Sequence, residues 1–254
     1  MKKRKAGIGI FVIVLIITAV RIKSMDSHRI SGRILAENIA GPGMLRLVEQ
    51  SMQAWARKTS VTEIAVKERK HPQAALTFDD GPDFRYTPLL LDGLKERNVR
   101  VSFFLLGEKV EQYPELVERM QKEGHLVGNH TYHHVQLNKL NESKAREEIL
   151  KTNNLIYETT GVYPLYLRPP FGAWKKNLEL CVEMLPVFWT IDTLDWKVQN
   201  TEKIVRTVQE QIEDGAIILM HDEYDTSVEA ALQVVDELKN QGYELVTVDQ
   251  LILP

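Results

Sequence analysis

From residue 73 to the C-terminus, short apolar runs alternate with longer segments whose apolar positions recur every three or four residues. The runs Ala74–Phe78, Val101–Leu106, His125–Gly128, Tyr163–Leu167, Pro186–Ile191, Ala216–Met220 and Glu244–Val248 read as strands. The segments Thr87–Arg97, 108–123, 142–159, Thr201–Glu213 and Ser227–Gln241 read as helices. Thr201, with Ile204, Val205 and Val208 behind it, has the form of a capped amphipathic helix. Such alternation predicts a parallel sheet, because parallel neighbours need helical crossovers. Both an open doubly wound sheet and a closed barrel satisfy it. The polar residues separate the two. Asp79/Asp80, His130, Arg168, Asp192/Asp195 and His221 each follow a different apolar run. Polar groups delivered by five strand ends suit the rim of a ring better than one crevice in an open sheet. The expectation is an α/β fold, a distorted (β/α) barrel of about seven parallel strands, shorter than the ~250 residues of a regular eight-fold one.

The N-terminus has another pattern. Lys2, Lys3, Arg4 and Lys5 precede an uncharged, mostly apolar run from Ala6 to Val20, closed by Arg21 and Lys23. Fifteen residues at 1.5 Å rise make ~22 Å, short of a ~30 Å hydrocarbon core unless the flanking cations snorkel. Ile17 before Ala19 makes a poor cleavage site. Residues 1–23 are therefore expected to be an uncleaved single-pass membrane anchor, the alternative being secretion after signal cleavage. The positive-inside rule then puts the rest of the chain outside the cytoplasm. Residues 24–71 read as a stalk. Gly41-Pro42-Gly43 breaks it, and Met44, Leu45, Leu47, Val48, Met52 and Trp55 mark one amphipathic helix over about 44–58. Residues 72–254 form the main domain.

Charge and composition narrow the function. Of the 254 residues, 44% are apolar and 26% charged, an ordinary globular composition. The net charge of −3 hides an asymmetry. Residues 1–23 carry six Lys/Arg and no acids, whereas residues 72–254 carry 18 basic and 30 acidic side chains. An acidic main domain is a poor partner for nucleic acid. The single cysteine, Cys181, excludes an internal disulfide framework and a cysteine-built zinc site.

Four groups of residues carry candidate chemistry. His130 and His134, four apart, would present two imidazoles to one metal if they sat on a helical turn. Asp79-Asp80 is followed by Gly81-Pro82, a sharp turn that can aim two adjacent carboxylates at one point. Two histidines and one carboxylate suit a divalent transition metal, zinc first, with a coordination position open for water. The second aspartate is then free to act as a base. His221 follows an apolar strand and is a candidate proton donor, for which Asp192 or Asp195 can supply the carboxylate neighbour that keeps it charged. Trp196 can line a pocket. In Arg168-Pro169-Pro170-Phe171 the first free backbone N–H is that of Phe171, a candidate oxyanion donor, and Arg168 can hold a carboxylate ionised and aimed.

Taken in order, these residues resemble the polysaccharide deacetylase family, the NodB-homology domain of carbohydrate esterase family four. Its five motifs correspond to Thr77–Pro82, His130–His134, Arg168–Phe171, Asp192–Trp196 and Leu219–His221, and the likeness covers residues 72 to about 252. The resemblance implies a distorted (β/α) barrel. It implies Asp79 as general base, and Asp80, His130 and His134 as metal ligands. Arg168 would position Asp79, the Phe171 amide would join an oxyanion hole, and Asp195 would tune His221 as general acid. Trp196 and Leu219 would wall the acetyl pocket. The one departure is Phe171, where the family often has Tyr. The implied activity is metal-dependent removal of N-acetyl groups from a GlcNAc-containing polysaccharide. Zinc is the first choice of ion, with Co2+, Ni2+, Mn2+ or Fe2+ as alternatives. An outward-facing domain makes wall peptidoglycan the convenient polymer. The competing readings are an O-acetyl esterase on xylan-type polymers and a glycan-binding module without catalysis.

Overall fold

A computed structural model describes residues 71–174 and 184–252. The chain divides into two units, Met1–Glu68 and Arg69–Pro254, and the described residues belong to the second. The expected anchor and the 44–58 helix lie outside the described residues. Among the described residues no helix is long and apolar enough to cross a membrane.

The second unit is built on parallel strands, as expected. In chain order the strands are β1 (Gln73–Asp79), β2 (Ser102–Leu105), β3 (Leu126–Asn129), β4 (Tyr166–Leu167), β5 (Leu185–Pro186), β6 (Ile191–Asp192), β7 (Ala216–His221) and β8 (Glu244–Leu245). The helices are α1 (Tyr86–Glu96), α2 (Gly107–Gln112), α3 (Pro114–Lys122), α4 (Glu142–Thr160), α5 (Asp195–Val198), α6 (Thr201–Gln211), α7 (Asp225–Asn240) and α8 (Val248–Ile252). The sheet order is β5-β4-β3-β2-β1-β7-β6, with β8 on the N-terminal end of β1.

Three local expectations are corrected. The segment 108–123 is two helices, because Pro114 starts a new one after Tyr113 leaves helical geometry. The cap of α6 is Asn200, whose side chain accepts from the Lys203 N–H, and Thr201 is the first helical residue. The run Pro186–Ile191 is not one strand. Its ends belong to β5 and β6, the opposite edges of the sheet.

That last correction explains the shape. The Val187 N–H donates to the Leu167 carbonyl (2.8 Å), extending the β4–β5 edge. The Thr190 N–H donates to the Ile217 carbonyl (2.9 Å), on the β7 side. Three residues of extended chain reach at most ~11 Å. Seven strands laid flat at ~4.8 Å spacing would put the edges nearly 30 Å apart. The sheet must therefore curl until its edges almost meet. It is a barrel left open between β5 and β6 among the described residues, the distortion anticipated from its length.

Alternation along the central strands separates two layers. Ala74, Leu76 and Phe78 of β1, Phe103 and Leu105 of β2, and Ala216, Ile218 and Met220 of β7 pack with Leu90, Leu94, Val234 and Val235 of the surrounding helices. Each fully buried leucine there contributes roughly 1.5–3 kcal/mol. The intervening residues point into the barrel, where Ala75, Phe104, Tyr166, Val187 and Val248 form a smaller core. The inward row of β1 ends at Asp79 and that of β7 at His221, and the two are register partners.

Gly128 of β3 faces Phe104 across the strand pair. A Cβ there would stand 2.7 Å from the Phe104 ring and 3.1 Å from the Tyr166 carbonyl oxygen, and a backbone atom cannot rotate away. Gly128→Ala is expected to destabilise the domain by about 1–3 kcal/mol through overpacking, measured as a lower midpoint of urea unfolding with unchanged slope.

Candidate active site

The site residues expected from sequence lie at or near C-terminal strand ends, in the loops that follow or, for Asp195 and Trp196, at the start of α5. Asp79 closes β1, and Asp80 next to it adopts a left-handed backbone (φ 68°). That flip turns both carboxylates toward the same point, which simple strand alternation cannot do. The Gly81 that follows has no room for a side chain. A Cβ would lie 2.5 Å from Oδ1 of Asp222, a fully buried carboxylate whose Oδ2 accepts from the Thr87 hydroxyl. Burial pushes Asp222 up to about 7. Its place beneath the turn was not singled out from sequence.

His130 and His134 are brought together, but not by a helical turn. The residues between β3 and Leu137 form a loop in which Thr131 (φ 68°) and His134 (φ 54°) are left-handed. Such residues cost of order 1–3 kcal/mol each and persist only where surrounding contacts enforce them. The Asn129 side chain accepts from the Thr131 N–H (2.7 Å) and donates to the Ile149 carbonyl and to Asn153. The two imidazoles expected together thus meet on a loop and not on a helical turn.

The cluster itself is tight. One ligand atom each from Asp80, His130 and His134 lies within 4.8 Å of the other two. Oδ1 of Asp80 is 3.4 Å from Nε2 of His130 and 3.5 Å from Nε2 of His134. Nδ1 of His130 is 2.6 Å from the Arg168 carbonyl oxygen. A carbonyl only accepts, so Nδ1 carries the proton and Nε2 presents its lone pair to Asp80. Burial holds the imidazole neutral, pushing its pKa down to about 3. Asp80 Oδ1 is buried without a hydrogen-bond donor. An acceptor facing an acceptor at this distance calls for a cation, and two imidazoles with one carboxylate are a donor set for a divalent transition metal. The residues present fit such an ion.

Beside it lies Asp79. Its Oδ1 accepts from Nη1 of Arg168 (2.8 Å), and its Oδ2 faces Nε2 of His130 at 3.6 Å. Burial raises the Asp79 pKa, opposed first by the charge of Arg168. Arg168 has no exposed surface. Nη1 also donates to Thr77 Oγ1 (2.7 Å), and the guanidinium lies 4.2 Å from the Phe104 ring centroid. Trp189, which the sequence reading passed over, covers it at 5.8 Å.

His221 stands across the site, with Nε2 3.8 Å from Asp80 Oδ2. The structure chooses between its two candidate partners. Asp195 accepts from His221 Nδ1 through Oδ1 (2.8 Å) and from the His221 backbone N–H through Oδ2 (2.8 Å). Asp192 instead accepts from the Leu194 N–H and shapes the turn. Burial alone would lower the His221 pKa, but the hydrogen bond and charge of Asp195 outweigh it and raise it to about 9. Burial would raise Asp195, and the same contacts with His221 bring it below the ordinary aspartate value.

Phe171 is left-handed (φ 59°) and mostly exposed, and its ring lies 4.5 Å from that of His134. Trp196 is half-exposed at the start of α5, while Leu219 is buried on the same inward row as His221. Of the residues expected at the site, Asp79, Asp80, His130, His134, Arg168, Asp195 and His221 are joined by the distances above.

A curled parallel α/β domain with a divalent-metal set between a buried carboxylate and a charged imidazole defines the class. The family model described as polysaccharide deacetylase matches residues 66–187. A peptidoglycan-N-acetylglucosamine deacetylase of Bacillus cereus is 40% identical over 186 residues, covering 70% of this chain and 68% of the relative. The peptidoglycan-N-acetylglucosamine deacetylase PgdA of Listeria monocytogenes is 42% identical over 185 residues, covering 73% of this chain. This chain spans 40% of that relative's length. The solved structure of the peptidoglycan deacetylase PdaC of Bacillus subtilis superposes with a TM-score of 0.70 at 42% identity, covering 72% of this chain and 91% of that one. The chain belongs to the polysaccharide deacetylase family.

The charge on His221 is expected to depend on Asp195. In an NMR titration of the chelator-treated protein, the parent imidazole should lose its proton near pH 9. In Asp195→Asn, which removes the negative charge and leaves the burial, the transition should fall by at least one unit.

Proposed function

We propose that this protein hydrolyses the acetamide of N-acetylated amino sugars in peptidoglycan, releasing acetate and leaving a free amine, with N-acetylglucosamine as the first substrate. The observation that carries the reading is the pairing of Asp79 and His221 as register neighbours on β1 and β7, with the Asp80–His130–His134 set beside them. An amide hydrolase needs a base on one side of the scissile bond and an acid on the other.

Asp80, His130 and His134 would hold the ion, with zinc as the first choice. When bound, a divalent metal supplies Lewis-acid activation of water and polarises the acyl oxygen. The rest is done by this chain's own groups. Arg168 occupies Asp79 Oδ1, which leaves Oδ2 to take the proton of the attacking water. Burial raises the basicity of that carboxylate. The Phe171 N–H is the backbone donor for the oxyanion, held in place by two prolines that have no N–H of their own. His221, kept charged by Asp195, gives its proton to the departing sugar nitrogen as the C–N bond breaks. Trp196 and Leu219 would bound the space for the acetyl methyl group.

Peptidoglycan is supported by the peptidoglycan deacetylases among the relatives and by the cationic-then-apolar N-terminus, which on this reading anchors the domain outside the cytoplasm. A B. subtilis relative at 43% identity, PdaC, is named an N-acetylmuramic acid deacetylase. Muramic acid is therefore the second reading for the sugar, and mass spectrometry of digested muropeptides separates the two by which residue loses 42 Da (about one acetyl replaced by hydrogen).

Asp79→Asn should reduce acetate release from peptidoglycan by at least about a thousand-fold and retain bound zinc. His130→Ala should lose both activity and zinc. Acetate release by Asp79→Asn at the parent rate would remove Asp79 from the role of base, and chelator-resistant release would remove the metal.

A further inference from the structure

The loop joining the two histidine ligands has no regular hydrogen-bonding pattern of its own, and its backbone groups are taken up by neighbours. The carbonyls of Thr131 and Tyr132 accept from the Gly107 and Glu108 N–H groups at the start of α2. The Tyr132 hydroxyl donates to Glu111, and Lys151 lies over its ring. The N–H groups of Tyr132 and His133 remain. Both donate to one oxygen of Glu148, on α4, at 3.0 and 2.9 Å. The other Glu148 oxygen is 2.8 Å from Nδ1 of His133. The Glu148 side chain is 15% exposed, so the carboxylate is sheltered, whereas the His133 side chain it holds is exposed.

This geometry has two effects on the ligand set. It holds the two central residues of a loop whose flanking residues, Thr131 and His134, are both left-handed. It also ties back the imidazole of His133, a third histidine immediately beside a ligand and otherwise exposed. We propose that Glu148 is a positioning residue for the metal site, fixing the His130–His134 loop in ligating form and keeping His133 out of competition with His134. This rests on Asp80, His130 and His134 being the ligands, as in the function proposed above. None of the five motifs that carry the family resemblance includes Glu148.

The test is zinc affinity of the full-length chain, measured by competition with a chromophoric chelator. Glu148→Ala is expected to weaken zinc binding about 10- to 100-fold, the usual effect of losing a group that supports a ligand. Glu148→Gln keeps an oxygen for the two N–H groups and a side chain of the same reach, and should stay within about three-fold of the parent. Val208→Ala, in the buried face of α6, is the control for lost stability. It should lower the melting temperature and leave zinc affinity unchanged. If Glu148→Ala does not fold, Glu148→Asp keeps the charge but withdraws it by one methylene, and at least a ten-fold loss is expected there. Zinc affinity within three-fold of the parent in the Ala or Asp variant overturns the proposal. So does failure of Gln to restore binding, or an equal loss of affinity in Val208→Ala. A parent chain that binds no zinc overturns the metal reading as well, whereas tight parent binding with an unaffected Ala variant overturns the role of Glu148 alone.

Discussion

A guanidinium with no exposed surface sits inside the barrel, and the chemistry is arranged around it. Leaving Arg168 unpaired would cost several kcal/mol, because a buried charge without its partner is among the most destabilising features a core can hold. Its partner is Asp79, and its other contacts are Thr77, the Phe104 ring and, at 3.5 Å, the Phe188 carbonyl. The same residue's backbone carbonyl fixes the proton on His130 Nδ1. One arginine thereby orients the carboxylate proposed as base and the tautomer of an imidazole proposed as a metal ligand. It ties the end of β4 to β1 by an ion pair and to the loop after β3 by a hydrogen bond.

On the opposite side, His221 and Asp195 form a second sheltered ionic pair. The two pairs are held against each other by strand register, Asp79 opposite His221, and by the layer of apolar residues behind them. Asp79 and His221 are both shifted upward, by different causes. Asp79 is made more basic by burial, while His221 is kept protonated by the charged Asp195 carboxylate that accepts from its Nδ1. Perturbed groups of this kind, a carboxylate and an imidazole placed beside the proposed metal ligands, are the arrangement expected where protons must move at neutral pH.

Much of this was legible from the chain, for identifiable reasons. Strands buried on both faces leave continuous apolar runs, so β1, β2 and β7 were found nearly to the residue. The polar residues that interrupt the pattern at their ends then marked the rim. Asp80 was readable because Gly81-Pro82 announces a turn. What failed depended on distant contacts. Periodicity cannot show that Pro186–Ile191 feeds two different edges, because strand partners are not written in local spacing. The histidine spacing suggested a helix, but the loop takes its left-handed form from Asn129, α2 and α4. Trp189, Asp222 and Glu148 were passed over for the same reason. Each acts on a residue remote in sequence, and no short pattern distinguishes them from ordinary core or surface positions.

The brief crossing from Val187 to Thr190 bears on more than the shape of the sheet. It spans the open side of the ring between β5 and β6, and it lays the Phe188 carbonyl and the Trp189 ring against Arg168. Slack gained there would loosen the cover over that guanidinium, while the β1–β7 ladder would still hold Asp79 opposite His221. A longer connection would cost little chain entropy, yet it would expose a buried charge to water. The tolerance for inserted residues at this seam is set by how closely Arg168 must be covered.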